Sequence, residues 1–318
     1  MEEKRLTYLG DQGNALMVEV YEKTGTDRAS IWRQKTAAAS ATVFMRGTSM
    51  NKIVVVRGGG DLATGTIHRL WSAGFRVLVL EAAQPAAIRR QVSLCEAVYE
   101  GSATVEGLTA VLIHDADEAG AVWAAGKVPM IVDPEGTCID RVKPAVVVDA
   151  IIAKKNLGTH RGMAPFTIAL GPGFAAGEDV DVVIETSRGH NLGRVITSGT
   201  AKPNTGIPGI IGGYGRERVI HSPAKGVMHN IRAIGDVVEA GEDIAWIGTD
   251  GEREMVKATI SGIIRGLIRE GYPVTRGFKI ADIDPRREEL ANCFTISDKA
   301  RCIAGSVLEQ VCRAVYGG

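Results

Sequence analysis

A short glycine-rich segment carries the clearest chemistry in this sequence. Gly58, Gly59 and Gly60 follow an apolar run, and Gly58-x-Gly60-x-x-Ala63 matches the pattern G-x-G-x-x-G/A. Glycines at this spacing allow a tight turn and let a pyrophosphate approach the N–H groups at the start of a helix. Glu81 follows about 20 residues later, where an acidic side chain accepts hydrogen bonds from a ribose. The segment therefore predicts a dinucleotide site built from Gly58, Gly59, Gly60, Ala63 and Glu81, and it favours NAD over NADP.

One residue of the same segment argues against that site. Asp61 places a carboxylate where the pyrophosphate of a dinucleotide would lie, and its negative charge would repel the ligand. Two interpretations therefore stay open. In the first, the glycine turn binds a dinucleotide. In the second, it belongs to a Rossmann-like scaffold that binds none, and Glu81 is a solvated strand end.

A second group of residues with anion-binding chemistry lies in the middle of the chain. Arg188, His190 and Arg194 stand among glycines, and a further glycine-rich stretch follows at 202–209. Glycine lets backbone N–H groups approach an anion, and arginine donates two parallel hydrogen bonds to a phosphate or a carboxylate. These residues predict part of a site for a phosphate-bearing cofactor. The alternative is a solvated hairpin followed by a long loop.

Cysteine is the remaining residue type with reactive chemistry. The chain has five cysteines and no C-x-x-C pair, so the sequence predicts neither a disulfide framework nor a metal site. An odd, scattered set fits the reducing cytoplasm. Cys293 precedes a predicted helix N-terminus, which lowers the pKa of a thiol, and it is the candidate catalytic thiol. The alternative for Cys293 is an inert buried side chain, and other catalytic residues stay unknown.

The elements that would position these residues alternate between strands and helices. An apolar run at 53–56 predicts a buried strand, the glycine turn opens a helix, and 75–80 predicts a second strand that ends at Glu81. Three more strands and one helix are predicted at 110–113, 130–132, 145–152 and 117–126. This order predicts a Rossmann-like domain with a parallel sheet over residues 50–155.

Composition limits the classes of function that the chain serves. Its 318 residues include 37 Lys and Arg and 37 Asp and Glu, so the formal net charge is zero, and 5% of the residues are aromatic. A nucleic-acid-binding chain would have a basic face and stacking rings, so nucleic acid is not an expected partner. The longest apolar runs are much shorter than a membrane span, and no membrane association is expected.

The first 49 residues differ from the rest of the chain in composition and in the pattern of apolar residues. They contain charged and polar stretches and an Ala/Thr/Ser run at 36–42, without the apolar core of a signal peptide. At Met50 the sequence changes abruptly and leads into the first buried strand. We therefore expect 1–49 to be an extension and Met50 to be the natural start. The alternative is a native N-terminal helix or arm.

An internal repeat lies in the second half of the chain. Residues 222–247 align with 258–283 at an offset of 36, with glycines and apolar residues in matching positions. Each copy predicts three strands joined by glycine turns, and neither copy buries its apolar face alone. The pair resembles the barrel-sandwich hybrid of biotinyl and lipoyl carrier domains. The position of the modified lysine falls near Gly251, so this barrel is expected to carry no cofactor.

These observations together predict an α/β fold class with three parts. The Rossmann-like parallel-sheet domain is followed by a β-rich domain, 156–284, which contains the cofactorless barrel-sandwich repeat. A C-terminal helical segment, 285–318, completes the chain. Its helix is predicted from an apolar stripe that starts after Ser297 or Asp298, either of which is a suitable N-cap.

Five segments point together to one family. They read VRGGGDLATG at 56–65, ETSRGHNLGRVI at 185–196, NTGIPG at 204–209, DIDPR at 282–286 and ISDKAR at 296–301. On these segments the chain, from Met50 to its end, resembles the selenium-dependent molybdenum hydroxylase maturation proteins of the YqeB type. Its Rossmann-like half is also similar, more distantly, to accessory proteins that insert sulfurated molybdenum cofactor into xanthine dehydrogenase.

The resemblance implies an accessory factor that helps a molybdenum hydroxylase to acquire a selenium ligand. The implied partner is a xanthine dehydrogenase-like enzyme in the cytoplasm. The glycine turn and the 188–194 loop would hold the molybdenum cofactor, a pyranopterin dinucleotide, and the barrel would dock the client enzyme. The family brings no established catalytic residues, so the candidate site residues rest on their chemistry alone.

Two other functions stay open on the residues alone. The strand–turn–helix–strand pattern also fits an NAD-dependent oxidoreductase. Asp61 and the lack of an obvious acid/base set oppose this function, and His190 is the one histidine in a suggestive context. The third function is a docking scaffold that binds a partner and no small ligand, since a fold does not imply a function. Whether the chain is an enzyme is therefore left open.

Overall fold

The chain divides into two units, Met1–Ser49 and Met50–Gly318. A computed structural model describes residues 5–9, 15–19, 53–204, 206, 209–249 and 251–317. In the first unit, β1 (Arg5–Leu9) and β2 (Ala15–Glu19) form an antiparallel pair. The remainder of 1–49 lies outside the described residues, so the expectation that this segment is an extension stays a prediction.

The second unit contains nineteen strands and five α-helices among its described residues. The strands up to residue 200 are β3 (Ile53–Arg57), β4 (Arg76–Glu81), β5 (Ser102–Val105), β6 (Leu108–Ile113), β7 (Val128–Val132), β8 (Val146–Asp149), β9 (Phe166–Leu170), β10 (Ala175–Ala176), β11 (Val182–Ile184), β12 (Val195–Ile196) and β13 (Gly199–Thr200). The later strands are β14 (Val219–His221), β15 (Gly226–Asn230), β16 (Val237–Val238), β17 (Asp243–Thr249), β18 (Glu252–Lys257), β19 (Gly262–Leu267), β20 (Pro273–Val274) and β21 (Lys279–Asp284). The α-helices are α1 (Asp61–Ser72), α2 (Ala97–Glu100), α3 (Ala119–Ala124), α4 (Ile139–Val142) and α5 (Asp298–Tyr316).

A nine-stranded sheet forms the centre of this unit. Its strand order is β12-β11-β9-β8-β3-β4-β7-β6-β5. Neighbouring strands are parallel, except that β5 pairs antiparallel with β6 and β12 pairs antiparallel with β11. The middle strands consist of valine-rich runs that are buried on both faces, as a sheet covered on both sides requires. From β3 the chain builds outward through β4 and returns to β8 on the other side, so the strand order reverses at β3.

Helices α1 and α5 pack against each other and share the main apolar core. Their inward faces include Ile67 and Leu70 of α1 and Ile303 and Val307 of α5, all fully buried. The two helices approach very closely at Gly65. A Cβ placed there would lie 2.8 Å from the Cβ of Ala300 and 3.0 Å from its carbonyl oxygen. The contact therefore depends on the absence of a side chain at Gly65.

We expect Gly65→Ala to destabilise the protein. The added methyl group overpacks the contact with Ala300, at a cost of about 1–3 kcal/mol, which exceeds the ~1 kcal/mol that alanine gains over glycine in a helix. The matched control is Gly305→Ala, because Gly305 lies exposed in α5 and its Cβ would meet no atom within 4 Å. The free energy of unfolding in urea should fall in the first variant and rise in the second. A rise in both would contradict the close helix contact.

Residues 219–284 form two four-stranded antiparallel sheets, which we call the two-sheet region. One sheet has the order β14-β21-β19-β16 and the other β18-β17-β15-β20. Strands β15, β16 and β17 correspond to β19, β20 and β21 at the offset of the sequence repeat. The short strand of each copy pairs with a long strand of the other, β16 with β19 and β20 with β15. The apolar faces of both sheets share one core, which explains why neither copy buries its apolar residues alone.

The predicted fold class is wrong. The large sheet is mixed and not parallel, and it takes β9, β11 and β12 from the segment that was expected to belong to a separate β-rich domain. A local apolar pattern predicts a strand but not the sheet that the strand joins, and here the edge of the first sheet accepted three more strands. The two-sheet region adds β14 and β18 outside the two copies, and its described residues do not show a barrel-sandwich of the biotinyl or lipoyl kind. Of the helices in the described part of the chain, none has the length and apolar character needed to cross a membrane.

Candidate functional site

A crevice lies at the carboxyl ends of β3, β4 and β8, where the strand order of the large sheet reverses. In open α/β sheets this is where ligands bind. The crevice holds a cavity of about 520 Å³, which we call the crevice cavity. Its walls are the glycine turn, the start of α1, the end of β4, segment 84–89 and the loop after β8, and the two-sheet region contributes Lys279 and Asp282.

The glycine turn is closely packed, and its first two glycines are required by their surroundings. Gly58 has a φ of +97°, and a Cβ on it would lie 3.0 Å from the carbonyl oxygen of Ala150. A Cβ on Gly59 would lie 3.1 Å from the backbone nitrogen of Cys95. At Gly60 nothing lies within 4 Å of the Cβ position, so this residue faces open space. The backbone of the turn is therefore fixed at Gly58 and Gly59, and the space beside Gly60 is open.

Glu81 is fixed against the glycine turn. The N–H of Gly59 donates to Oε2 of Glu81 at 2.6 Å, and the N–H of Ala82 donates to Oε1 at 2.8 Å. Burial raises the pKa of Glu81, while these two backbone hydrogen bonds lower it. The carboxylate thus lies at the wall of the crevice cavity with each oxygen held by one N–H group, and it is not a freely solvated strand end.

The charge of Asp61 is offset by a partner that is remote in sequence. Its Oδ2 lies 3.5 Å from Nη1 of Arg89, whose side chain is only 9% exposed. Nη2 of Arg89 also donates to the carbonyl oxygens of Asn292 and Thr295. Burial lowers the pKa of Arg89, and Arg265 lowers it further, whereas Asp61 raises it. Gly60, the N-cap residue of α1, has no side chain that could accept a hydrogen bond. The first N–H groups of α1, next to Asp61 and Arg89, therefore have no side-chain cap.

The loop after β8 leads from the crevice cavity to a second cavity of about 360 Å³, which we call the basic cavity. Ile152 lines both. Four cationic side chains line the basic cavity: Lys154, Arg188, Lys202 and Lys299. Arg188 is held by Asp298 through two hydrogen bonds of 2.8 and 2.9 Å, and this contact lowers the pKa of Asp298 to about 2. The arrangement places positive charge next to the crevice.

The predicted site residues fall into four places. Gly58, Gly60, Ala63 and Glu81 line the crevice cavity, and Gly59 bonds to Glu81 beside them. Arg188 lines the basic cavity. His190 and Arg194 are exposed and line neither of the two cavities.

Cys293 lies in the core of the two-sheet region and is 2% exposed. Burial raises the pKa of its thiol and outweighs the lowering effect of Arg265 and Arg89.

Sequence reasoning missed several residues of the two cavities. Lys202 and Lys299 stand in the glycine-rich stretch and in the ISDKAR segment, so a search for cations in those motifs would have found them. Arg89 carries no local signal, because its partners lie 28 to 206 residues away in the sequence. Residues 205, 207 and 208 of the NTGIPG segment lie outside the described residues. Within the described part of the chain, no group of three or more His, Cys, Asp and Glu could hold a metal ion.

Comparison with known proteins gives one clear relative in sequence. Over 270 residues the chain is 50% identical to YqeB of Escherichia coli K12, which is described as an uncharacterised protein. The match covers 85% of this chain and 49% of that protein, so the chain spans about half the length of this curated relative. The likeness agrees with the resemblance to a YqeB-type family. No protein-family model matches the chain.

Three solved structures give weaker likenesses. The ectoine utilization protein EutE (DoeB) of Ruegeria pomeroyi is 10% identical, with a TM-score of 0.25, over 72% of this chain and 85% of that one. An aspartoacylase family protein of Mesorhizobium loti is 10% identical with a TM-score of 0.26, over 74% and 85%. A succinylglutamate desuccinylase/aspartoacylase of Rhodobacter sphaeroides is 14% identical with the same TM-score of 0.26 and the same coverage. TM-scores this low transfer no activity to this chain.

The comparisons do not bear out the predicted function and partner. The solved structures are named as aspartoacylases, succinylglutamate desuccinylases and an ectoine utilization protein, and none is named for molybdenum or selenium. The relative in sequence is uncharacterised and adds no molybdenum-related role. The maturation factor, the molybdenum hydroxylase partner and the selenium chemistry were implied only by the resemblance.

Proposed function

We propose that the chain binds a ribonucleotide in the crevice cavity, with Glu81 as the acceptor for the ribose hydroxyl groups. The observation that carries the proposal is the position of the Glu81 carboxylate, which two backbone N–H groups hold against the glycine turn. Each carboxylate oxygen has about two lone pairs, and one on each is used by these bonds. A second lone pair on each oxygen is therefore left for the neighbouring hydroxyl groups of a ribose.

The rest of the crevice cavity supports the same ligand. Its volume of about 520 Å³ falls in the usual range for small-molecule sites. Ala82, Pro85 and Ile151 give it apolar walls against which a base can lie. The uncapped start of α1 offers N–H groups to a phosphate, and Arg89 offsets the charge of Asp61 there. The five free cysteines favour a reducing compartment, and we therefore propose that the chain functions in the cytoplasm.

Titration calorimetry of the full chain with adenosine, ADP, NAD and NADP tests the proposal. We expect saturable binding of ADP that weakens about tenfold or more in Glu81→Gln, because a hydrogen bond to a charged group contributes about 1.5–3 kcal/mol. Glu178→Gln is the matched control, since Glu178 is exposed and lies outside both cavities. A 2′,3′-dideoxy ADP should bind the wild-type protein as weakly as ADP binds Glu81→Gln. Equal affinity for ADP and its dideoxy form would exclude Glu81 as the ribose acceptor.

A further inference from the structure

We propose that the basic cavity is a separate binding site for a phosphate group. Besides its four cationic side chains, its lining offers hydroxyl and amide donors from Thr186, Ser187 and Asn204. No aspartate or glutamate is among the described residues that line it. Donors of this kind surrounding a cavity, without an acceptor carboxylate, match a small dianion such as the phosphate of a phosphomonoester.

The positive charge of the basic cavity is only partly offset by its surroundings. Among the described residues, no carboxylate lies within 4.0 Å of the ammonium groups of Lys154, Lys202 and Lys299. The nearby carboxylate of Glu185 accepts hydrogen bonds from the N–H groups of Ser187 and Lys202 at 2.7 and 2.8 Å, and its charge raises the pKa of Lys299 without forming an ion pair with it. Asp298 offsets one charge, that of Arg188, and holds its guanidinium in place. About three positive charges therefore lack a carboxylate partner.

Lys299 shows that this charge is held at a cost. It lies half-buried in the first turn of α5, where burial lowers the pKa of its ammonium group and Arg188 lowers it further, whereas Asp61, Glu185 and Asp298 raise it without reversing the shift. A bound anion would relieve both effects, because it would replace lost hydration and screen the two cations from each other. An ammonium group with no such role would be more stable turned towards solvent.

The backbone around the basic cavity is strained and closely packed. Ile152 and Lys154 have φ angles of +59° and +63°, a conformation that is unusual for any residue with a side chain and especially for a β-branched one. A Cβ on Gly173 would lie 2.7 Å from the backbone nitrogen of Lys155, so the backbone at Gly173 packs closely against the loop that contains Lys154 and Lys155. Strain of this kind persists where the surrounding structure fixes it, and it concentrates at ligand sites. The loop that bears Lys154 is thus held in one position along the wall of the cavity.

The phosphate can come from two sources, either a free phosphate compound or the phosphate of the nucleotide proposed for the crevice cavity. We expect calorimetry of the full chain with inorganic phosphate, in a phosphate-free, low-salt buffer, to show saturable binding. Lys299→Gln and Lys202→Gln should each weaken this binding about tenfold or more, because each removes a charged hydrogen bond. Lys127→Gln is the matched control, since Lys127 is exposed and lines neither cavity. Lys202 is exposed, so its variant keeps the test valid if Lys299→Gln folds poorly.

The same variants separate this site from the crevice cavity. Glu81→Gln should leave the binding of inorganic phosphate unchanged. If the wild-type chain binds inorganic phosphate but neither adenosine nor ADP, the ribonucleotide proposal is rejected and the phosphate site stands. If Lys299→Gln weakens ADP as well as inorganic phosphate, the phosphate of the nucleotide reaches the basic cavity. If it weakens inorganic phosphate alone, the cavity takes a separate phosphate compound. Absence of saturable phosphate binding, or equal affinity in Lys299→Gln, Lys202→Gln and Lys127→Gln, would overturn the proposal.

Discussion

Asp282→Ala is expected to remove about 3–5 kcal/mol of stability, because it leaves buried cationic side chains without a counter-charge. Asp282 lies on β21 with its carboxylate 8% exposed, at the wall of the crevice cavity. Its Oδ1 accepts a hydrogen bond from Arg218 at 3.1 Å, and its Oδ2 accepts one from Arg265 at 3.4 Å. Arg218 is itself only 5% exposed, so solvent compensates poorly for the loss of the carboxylate.

Urea unfolding with two further variants separates burial from ion pairing. The double variant Asp282→Leu with Arg218→Met replaces the pair by apolar side chains of similar size, and it should be much nearer to wild type than Asp282→Ala. Asp243→Ala is the control for an exposed pair. Asp243 lies 2.7 Å from Lys257, both side chains are solvent-exposed, and the expected loss is below about 1 kcal/mol. Similar losses in Asp282→Ala and Asp243→Ala would show that Asp282 has no special role.

The parts of the fold that sequence reasoning located are those that local patterns specify. The first strand, the glycine turn, α1 and the second strand lie where the apolar spacing and the glycines indicate. The apolar stripe after Ser297 likewise marks α5, and Ser297 caps it by accepting from the N–H of Ala300. In each of these elements the period of apolar residues and the cap or turn residue give the same answer, so the tertiary context had nothing to override.

The sheet as a whole could not be predicted in this way. Strand β9 pairs parallel with β8 across a loop of sixteen residues, 150–165, and β11 pairs with β9 in turn. Periodicity marks Phe166–Leu170 as a strand but does not say which edge it joins. The choice is made by which open edge and which apolar face are available nearby, and these are properties of the assembled unit.

In the candidate site, too, local sequence patterns identify some features and the folded chain determines the others. Glu81 is found from its distance to the glycines, because both belong to one strand–helix–strand unit. The partners of Asp61 and Arg188 are not, since Arg89 and Asp298 reach them from segments that only the folded chain brings near. Cys293 shows the effect of burial: its position before a helix suggests a reactive thiol, with an inert buried side chain as the alternative, and burial in an apolar core raises the pKa of the thiol. Local reasoning thus finds the groups and misses their counter-charges and their burial.

A second large effect is expected for Arg57→Met, and it should depend on pH. Arg57 ends β3 directly before the glycine turn, and it is 1% exposed. Its Nη1 donates to the hydroxyl of Thr159, which donates in turn to Oδ2 of Asp149 at 2.6 Å, so the two buried charges are linked through one hydroxyl group. Removing Arg57 leaves Asp149 buried and unpaired, and the expected loss near neutral pH is about 3–5 kcal/mol.

The pH dependence follows from the direction of the Asp149 pKa. Burial raises the pKa of Asp149 above its ordinary value of 3.8, and the charge of Arg57 holds it lower than burial alone would. In Arg57→Met the pKa therefore rises further. A carboxyl group whose pKa is higher in the folded than in the unfolded state destabilises the fold above its folded pKa, and this penalty disappears as the pH falls towards the unfolded value. The deficit of Arg57→Met relative to wild type, measured by urea unfolding, should be larger near pH 8 than near pH 5. Adding Asp149→Asn should remove most of this pH dependence, whereas an equal deficit at both pH values would show that the two charges are not coupled.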